Sequence, residues 1–313
     1  MDERVLLEPL PAERPRPKRS RRPGRAWFVV PPILAVVVLL LGPIVLITLY
    51  SLGLRSNIPG TVTGLDLSNW KDFLTGPGNP FRKQFFHSLE ITFLVSIAAT
   101  IAAYPLAYFL SFVARKHRYP LLLLLLAPFF TSYLLRVIAW QVILNDNGVV
   151  NSLVQDLGLR PQGEAVPWLI YSNFAVALVL FYSWIPFVAL PMFAVLENMD
   201  RRLLEAAQDL GASRVTTFVR VTLPLSLPGV IAGFVFVLIP TTGEFITPLY
   251  VGGPSNQLFG NAIQSFFTNS PDWGYGSVLA LTLVAVVVVM MLASGRFLGA
   301  DLRETGTTSG DQT

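Results

Sequence analysis

The chain has 313 residues, of which 53% are hydrophobic and 13% charged, about half the charge density of an ordinary soluble domain. It has no cysteine and two histidines, His87 and His117, which excludes disulfides, iron–sulfur clusters and thiolate metal sites and leaves no pair for a His-based metal centre. The net charge of +4 is concentrated at the N-terminus and in a few short segments.

Residues 1–26 are rich in Arg, Lys and Pro and hold little to bury, so a disordered basic tail is expected there. A basic run can bind nucleic acid, but this one directly precedes an apolar span and reads as a topology signal; no nucleic-acid partner is expected. Six stretches then meet the ~20-residue spanning length, at about 27–50, 86–113, 119–144, 171–196, 225–250 and 275–298. Runs such as LLLLLLAPFF and VAVVVVMML are apolar on every side, which excludes barrel strands and leaves helices. The reading is an all-α membrane protein with a C-terminal tail at 299–313.

Placing the N-terminal tail in the cytoplasm puts 17 of the 23 basic residues on the inner side, and only Arg55, Lys71, Arg82, Lys83 and Arg160 outside. That bias predicts cytoplasmic N- and C-termini. Prolines at 105, 128, 186, 191, 240 and 248 punctuate the spans. They serve either as ordinary kinks in a packed bundle or as openings along a path.

The inner segment 197–224 interrupts the second half of the chain. Leu203, Ala207 and Leu210 share a helical face with Leu204 beside them, and Arg201, Arg202, Glu205, Gln208 and Asp209 are polar, so a short amphipathic helix is expected at about 201–210. Gly211 suits a left-handed position after its end, and Ser213 suits the cap of a further turn. Such a helix lies either on lipid headgroups or in the groove of a partner protein, and its narrow, alanine-containing stripe favours the groove.

This segment, EAAQDLGASRVTTFVRVTLPLSLPG at 205–229, resembles the EAA motif of ABC-importer permeases, with Glu205, Ala206, Ala207, Gly211, Leu223 and Pro224 at the matching positions. Two further segments, Thr131–Leu153 and Gly243–Gly253 (GEFITPLYVGG), are similar to permeases of the spermidine/putrescine-importer class. The resemblance covers about 27–298. It implies a six-helix type I importer permease fold with a cytoplasmic coupling helix. The partners it implies are a separate ABC ATPase, a second permease subunit and a substrate-binding protein. None of the four lysines follows a glycine, so the chain holds no phosphate-cradling GK motif and ATP hydrolysis is expected of the partner. No cofactor or metal is expected.

Charges within spans mark functional candidates. Arg136 and Glu244 fall at similar depths below the outer boundary and either form a structural ion pair or flank a solute path; Glu90 sits near the outer start of the second span. Tyr133, Trp140, Tyr182 and Trp184 offer ring faces for an organic cation, and Asp146 sits at an outer mouth. The expected function is the permease subunit of an ATP-driven importer for a polyamine. The alternatives are a self-sufficient carrier or channel, or a permease for another small solute such as ferric iron or phosphonate. A membrane enzyme has no nucleophile–base pair to support it.

Overall fold

The computed structural model describes residues 26–57, 63–114, 116–161, 163–270 and 272–306. Nearly all of the basic tail expected at 1–26, and the end of the C-terminal tail, lie outside the described residues. Twelve α-helices occur among them, with no strand: α1 (Ala26–Ser51), α2 (Ser68–Thr75), α3 (Pro80–Tyr108), α4 (Arg118–Leu126), α5 (Tyr133–Leu144), α6 (Val149–Asp156), α7 (Asn173–Glu197), α8 (Arg201–Asp209), α9 (Arg214–Thr217), α10 (Leu223–Thr242), α11 (Phe259–Thr268) and α12 (Trp273–Gly306). Five helical runs are long and apolar enough to cross a membrane, and a sixth is a bent pair of helices.

The chain divides into two units within α1, after Leu46. In the first unit the described side chains from Val30 to Leu41 are all exposed, as lipid-facing apolar residues are. In the second unit α3, α7 and α10 pack on one another. Ala99, Ala103 and Ala107 of α3 meet Val188, Ala189, Met192 and Leu196 of α7 and Val237 of α10 in one buried cluster. Gly229 and Gly233, four residues apart on α10, let its backbone approach α7: a Cβ on Gly233 would stand 2.9 Å from the Val188 carbonyl oxygen, and one on Gly229 3.0 Å from that of Pro191. Small residues at that spacing are how membrane helices pack closely without a hydrophobic driving force. Three hydroxyls in these spans return to their own helix: Ser111, Thr241 and Thr242 each donate to the carbonyl four residues back.

Local capping sets several helix ends. The second apolar stretch becomes helical six residues before the expected start because Pro80 stands in its first turn and the Asn79 Oδ1 accepts from the Phe81 and Arg82 amides. Ser172 caps α7 by accepting from Ala175 N–H at 3.0 Å.

Two expected spans are not continuous. The stretch at 119–144 is broken: α4 tightens into a 3-10 turn at Ala127–Phe130, Thr131 and Ser132 are extended, and α5 departs at 84°. Pro128 in that turn lacks an amide hydrogen, and the Thr131 hydroxyl donates to the Pro128 carbonyl at 2.6 Å, closing the turn locally. The stretch at 225–250 unwinds after Thr242 and resumes helical geometry at Ile246. The outer segment 251–274, expected as a loop, contains α11, and this helix supports the second break.

Candidate functional site

The break in the fifth span is held open by side chains. The Glu244 Oε1 accepts from the amides of Ile246 (2.8 Å) and Thr247 (3.1 Å), which caps the resumed helix. Asn261 of α11 donates from Nδ2 to the Phe245 carbonyl at 2.7 Å, while its Oδ1 accepts from Leu258 N–H at 3.0 Å. A Cβ on Gly260 would stand 2.7 Å from the carbonyl oxygens of both Gly243 and Glu244, so only glycine lets α11 reach the unwound backbone. From α3, the Gln84 Nε2 donates to the Gln257 and Leu258 carbonyls and the Ser88 hydroxyl accepts from Phe259 N–H. The Asn261 amide supplies a partner to the unwound segment itself, and the bonds from Gln84 and Ser88 hold the start of α11 beside it, where water is scarce.

Beside this break lies a cavity of 390 Å³. Tyr133 and Arg136 reach it from α5, Ser183, Trp184 and Phe187 from α7, and Gly243 to Ile246 from the break. The Tyr133 hydroxyl shares a 2.6 Å hydrogen bond with Thr247, tying α5 to the resumed helix. The Arg136 guanidinium carbon lies 4.2 Å from the centroid of the Phe129 ring and 5.6 Å from that of Tyr133. Arg136 and Glu244 line one space, yet the one ion pair among the described residues is Arg118–Glu197, at 2.9 Å. A locking Arg136–Glu244 bridge is therefore not formed. Both breaks border this cavity, since Tyr133 begins the helix after the first and Glu244 sits in the second.

Four of the eight expected pathway residues, Tyr133, Arg136, Trp184 and Glu244, thus meet. The other four, Trp140, Tyr182, Glu90 and Asp146, do not line this cavity. Trp140 packs edge-on against Tyr182 at 5.3 Å beside the core formed by Val137, Val176 and Leu180. Glu90 is exposed on α3, and Asp146 is exposed in the turn after α5. Ser183, Phe187 and Asn261 were not singled out by sequence reasoning. The signal for the break itself was present as Pro240, Gly243, Glu244 and Pro248 within one apolar run, since glycine- and proline-interrupted spans are where membrane proteins place sites.

At the opposite end of the fifth span, α8 forms a ridge. Asp200 caps it by accepting from Arg202 N–H, and it ends in a paired closure: Ala212 N–H donates to the Ala207 carbonyl and Gly211 N–H to that of Gln208. This closure needs a left-handed residue, and Gly211 has φ +83°. Ser213 accepts from Thr216 N–H and starts α9. Arg201 donates to the Ser111 carbonyl at 3.1 Å and lies over the Phe112 ring, fastening the ridge to the end of the second span. Leu223, half-buried, and Pro224, exposed, open α10.

The expected face on α8 is corrected in register. Leu204 and Ala207 turn partly inward, so Leu203, Ala206 and Leu210 make the exposed stripe, flanked by the exposed Glu205 and Asp209. Leu210 is 89% exposed. Hollows of 550 and 500 Å³ lie beside the ridge, one lined by Ala207, Leu210, Gly211 and Arg220, the other by Val195, Met199, Leu203 and Leu225.

Residues 91–300 match the family described as binding-protein-dependent transport system inner membrane component. The chain is 36% identical over 210 residues to the spermidine/putrescine transport system permease protein PotB of Escherichia coli (strain K12), covering 67% of this chain and 75% of that protein. It is 34% identical over 226 residues to the inner membrane ABC transporter permease protein YdcU of the same organism, covering 68% and 70%. Among solved structures, a bacterial ABC transporter involved in the import of the acidic polysaccharide alginate superposes with a TM-score of 0.68 at 17% identity, over 88% of this chain and 96% of that one.

Proposed function

The chain belongs to the binding-protein-dependent transport system inner membrane component family, and from that premise we propose that it carries a polyamine or closely related organic amine through the cavity beside the break in the fifth span. It is a permease subunit of an ABC importer. Membership in this family replaces the self-sufficient carrier, the channel and the membrane enzyme.

One observation carries the solute reading: Glu244, the acid within the spans at this cavity, stands among the rings of Tyr133, Trp184 and Phe187. A carboxylate at the mouth of a short helix in a low-dielectric setting attracts an ammonium group, and an aromatic face adds about 0.5–2 kcal/mol as the cation loses water. Solute class follows the relatives named for spermidine and putrescine. Glu244→Gln tests this cleanly, because the amide oxygen still accepts from Ile246 and Thr247 while the charge is gone. Uptake of radiolabelled putrescine by the assembled complex in proteoliposomes is expected to fall about tenfold or more, and unchanged uptake removes the role of Glu244.

The ridge Arg201–Ala212 seats a separate ATPase in this proposal. Its exposed stripe at Leu203, Ala206 and Leu210 enters a groove on that subunit, and closure of the ATPase tilts α7, which the ridge follows by three residues, and α10, which it reaches through α9. Coupling between the two sites is then reciprocal: solute delivery stimulates hydrolysis, and nucleotide state sets access to the cavity. A second permease subunit completes the membrane part and an external binding protein delivers the solute. Both termini lie in the cytoplasm in this proposal, a reading that the positive-inside bias supports.

A further inference from the structure

The cavity presents more hydrogen-bond donors than an amine can use. Arg136 makes no ion pair and no side-chain hydrogen bond among the described residues, and its Nε and Nη1 are buried without an acceptor. Two other cavity-lining groups share that condition, the indole Nε1 of Trp184 and the hydroxyl of Ser183. Guanidinium and indole nitrogens can only donate. The Phe129 ring at 4.2 Å holds the guanidinium by its face, which leaves its in-plane N–H groups for an acceptor. Glu244 does not serve as that acceptor: it is not ion-paired to Arg136, and its Oε1 takes two backbone amides. A buried charge without a partner in a membrane span marks a ligand or ion path.

A simple diamine brings ammonium groups only, which would leave the arginine facing like charge and the indole N–H unmatched, while the Ser183 hydroxyl could serve either sign. The complement of a cavity with one acid and one free guanidinium is a solute bearing both signs. We infer that the cavity takes an organic amine that also carries a carboxylate, the ammonium toward Glu244 and the carboxylate toward Arg136, Trp184 and Ser183. This rests on the proposal that the cavity lies on the solute path, and it narrows the amine class proposed there. The volume of 390 Å³ lies within the range of small-ligand sites.

The test uses the purified permease–ATPase complex without its external binding protein, so that only the membrane cavity selects. Affinities are measured by thermal shift and radioligand binding for 4-aminobutyrate, putrescine, butylamine and butyrate. The ω-amino acid is expected to bind at least about tenfold more tightly than any of the other three, which corresponds to one added charge-assisted contact. Arg136→Gln removes that preference and Arg136→Lys restores part of it. Trp184→Phe keeps the ring, loses the N–H and weakens 4-aminobutyrate more than butylamine. Should Arg136→Gln fail to assemble with the ATPase, Trp184→Phe and the wild-type ligand series decide. Putrescine binding as tightly as 4-aminobutyrate, or a carboxylate preference that survives in both Arg136→Gln and Trp184→Phe, overturns the inference. Putrescine uptake in proteoliposomes reads the broader proposal separately: uptake without 4-aminobutyrate binding sinks this inference alone, and 4-aminobutyrate binding without putrescine uptake sinks the polyamine reading alone.

Discussion

The two ends of the fifth span leave opposite things unsatisfied. At the α8 ridge the backbone is closed by Asp200, Gly211 and Ser213, and along its stripe between charged flanks the exposed side chains are apolar, Leu203 and Leu210. At the cavity the broken backbone is also closed, by Glu244 and Asn261, but what remains unmatched is polar, at Arg136, Ser183 and Trp184. An exposed apolar stripe gains by burial against a protein. Orphan buried donors gain from a ligand with acceptors. On the proposed function, the same chain presents a protein-binding surface at one end and a small-solute site at the other.

Substitutions separate these two roles. The largest effect is expected for Leu203→Asp with Leu210→Asp, which should reduce co-purification of the ATPase by more than about tenfold, as loss of two contact anchors does. Both side chains are exposed, so the thermal stability of the membrane bundle should stay unchanged; a stability loss equal to the binding loss would make the ridge a structural element. Asn261→Ala is expected to lower stability by about 1–3 kcal/mol, read as a fall in Tm, because it strands the buried Leu258 N–H and removes one of the two donors to the Phe245 carbonyl, with little effect on ATPase association. Gly211→Val meets no neighbour within 4 Å, so its cost is conformational, about 1–2 kcal/mol at a left-handed position. It should diminish the stimulation of ATP hydrolysis by loaded binding protein while the permease still inserts, and intact stimulation would separate the ridge from coupling. The smallest effect belongs to Glu197→Gln. The pair with Arg118 is partly exposed, the amide still accepts from Tyr119, and the expected Tm change corresponds to at most about 1 kcal/mol.

Much of the ridge was legible because its signals are local. Gly211 and Ser213 act within four residues of themselves, and a left-handed glycine after a helix is a one-position statement about backbone sterics. Even so, the exposed face was misassigned by one position, since Ala206 and Ala207 are equivalent in hydropathy and only packing turns Ala207 partly inward. The cavity was half legible. Charge within an apolar run marks Arg136 and Glu244, but Trp140 and Trp184 look alike in sequence. Trp140 is engaged by Tyr182 beside the core, whereas Trp184 has an indole N–H without a partner at the cavity.

The amino-acid sequence alone determined the class of this protein: apolar runs of spanning length force helices, because a helix satisfies its own backbone in lipid. The motif between the fourth and fifth spans identified the family. Tertiary structure alone decided that two of those runs are broken, that α11 returns to close the second break, and that Arg136 and Glu244 face one space unpaired. The physical reason is range. Hydropathy and capping act along a few consecutive residues, while the partner of an unwound carbonyl or a buried guanidinium comes from whichever distant segment the fold brings within hydrogen-bonding reach, as Asn261 comes to Phe245 from sixteen residues away.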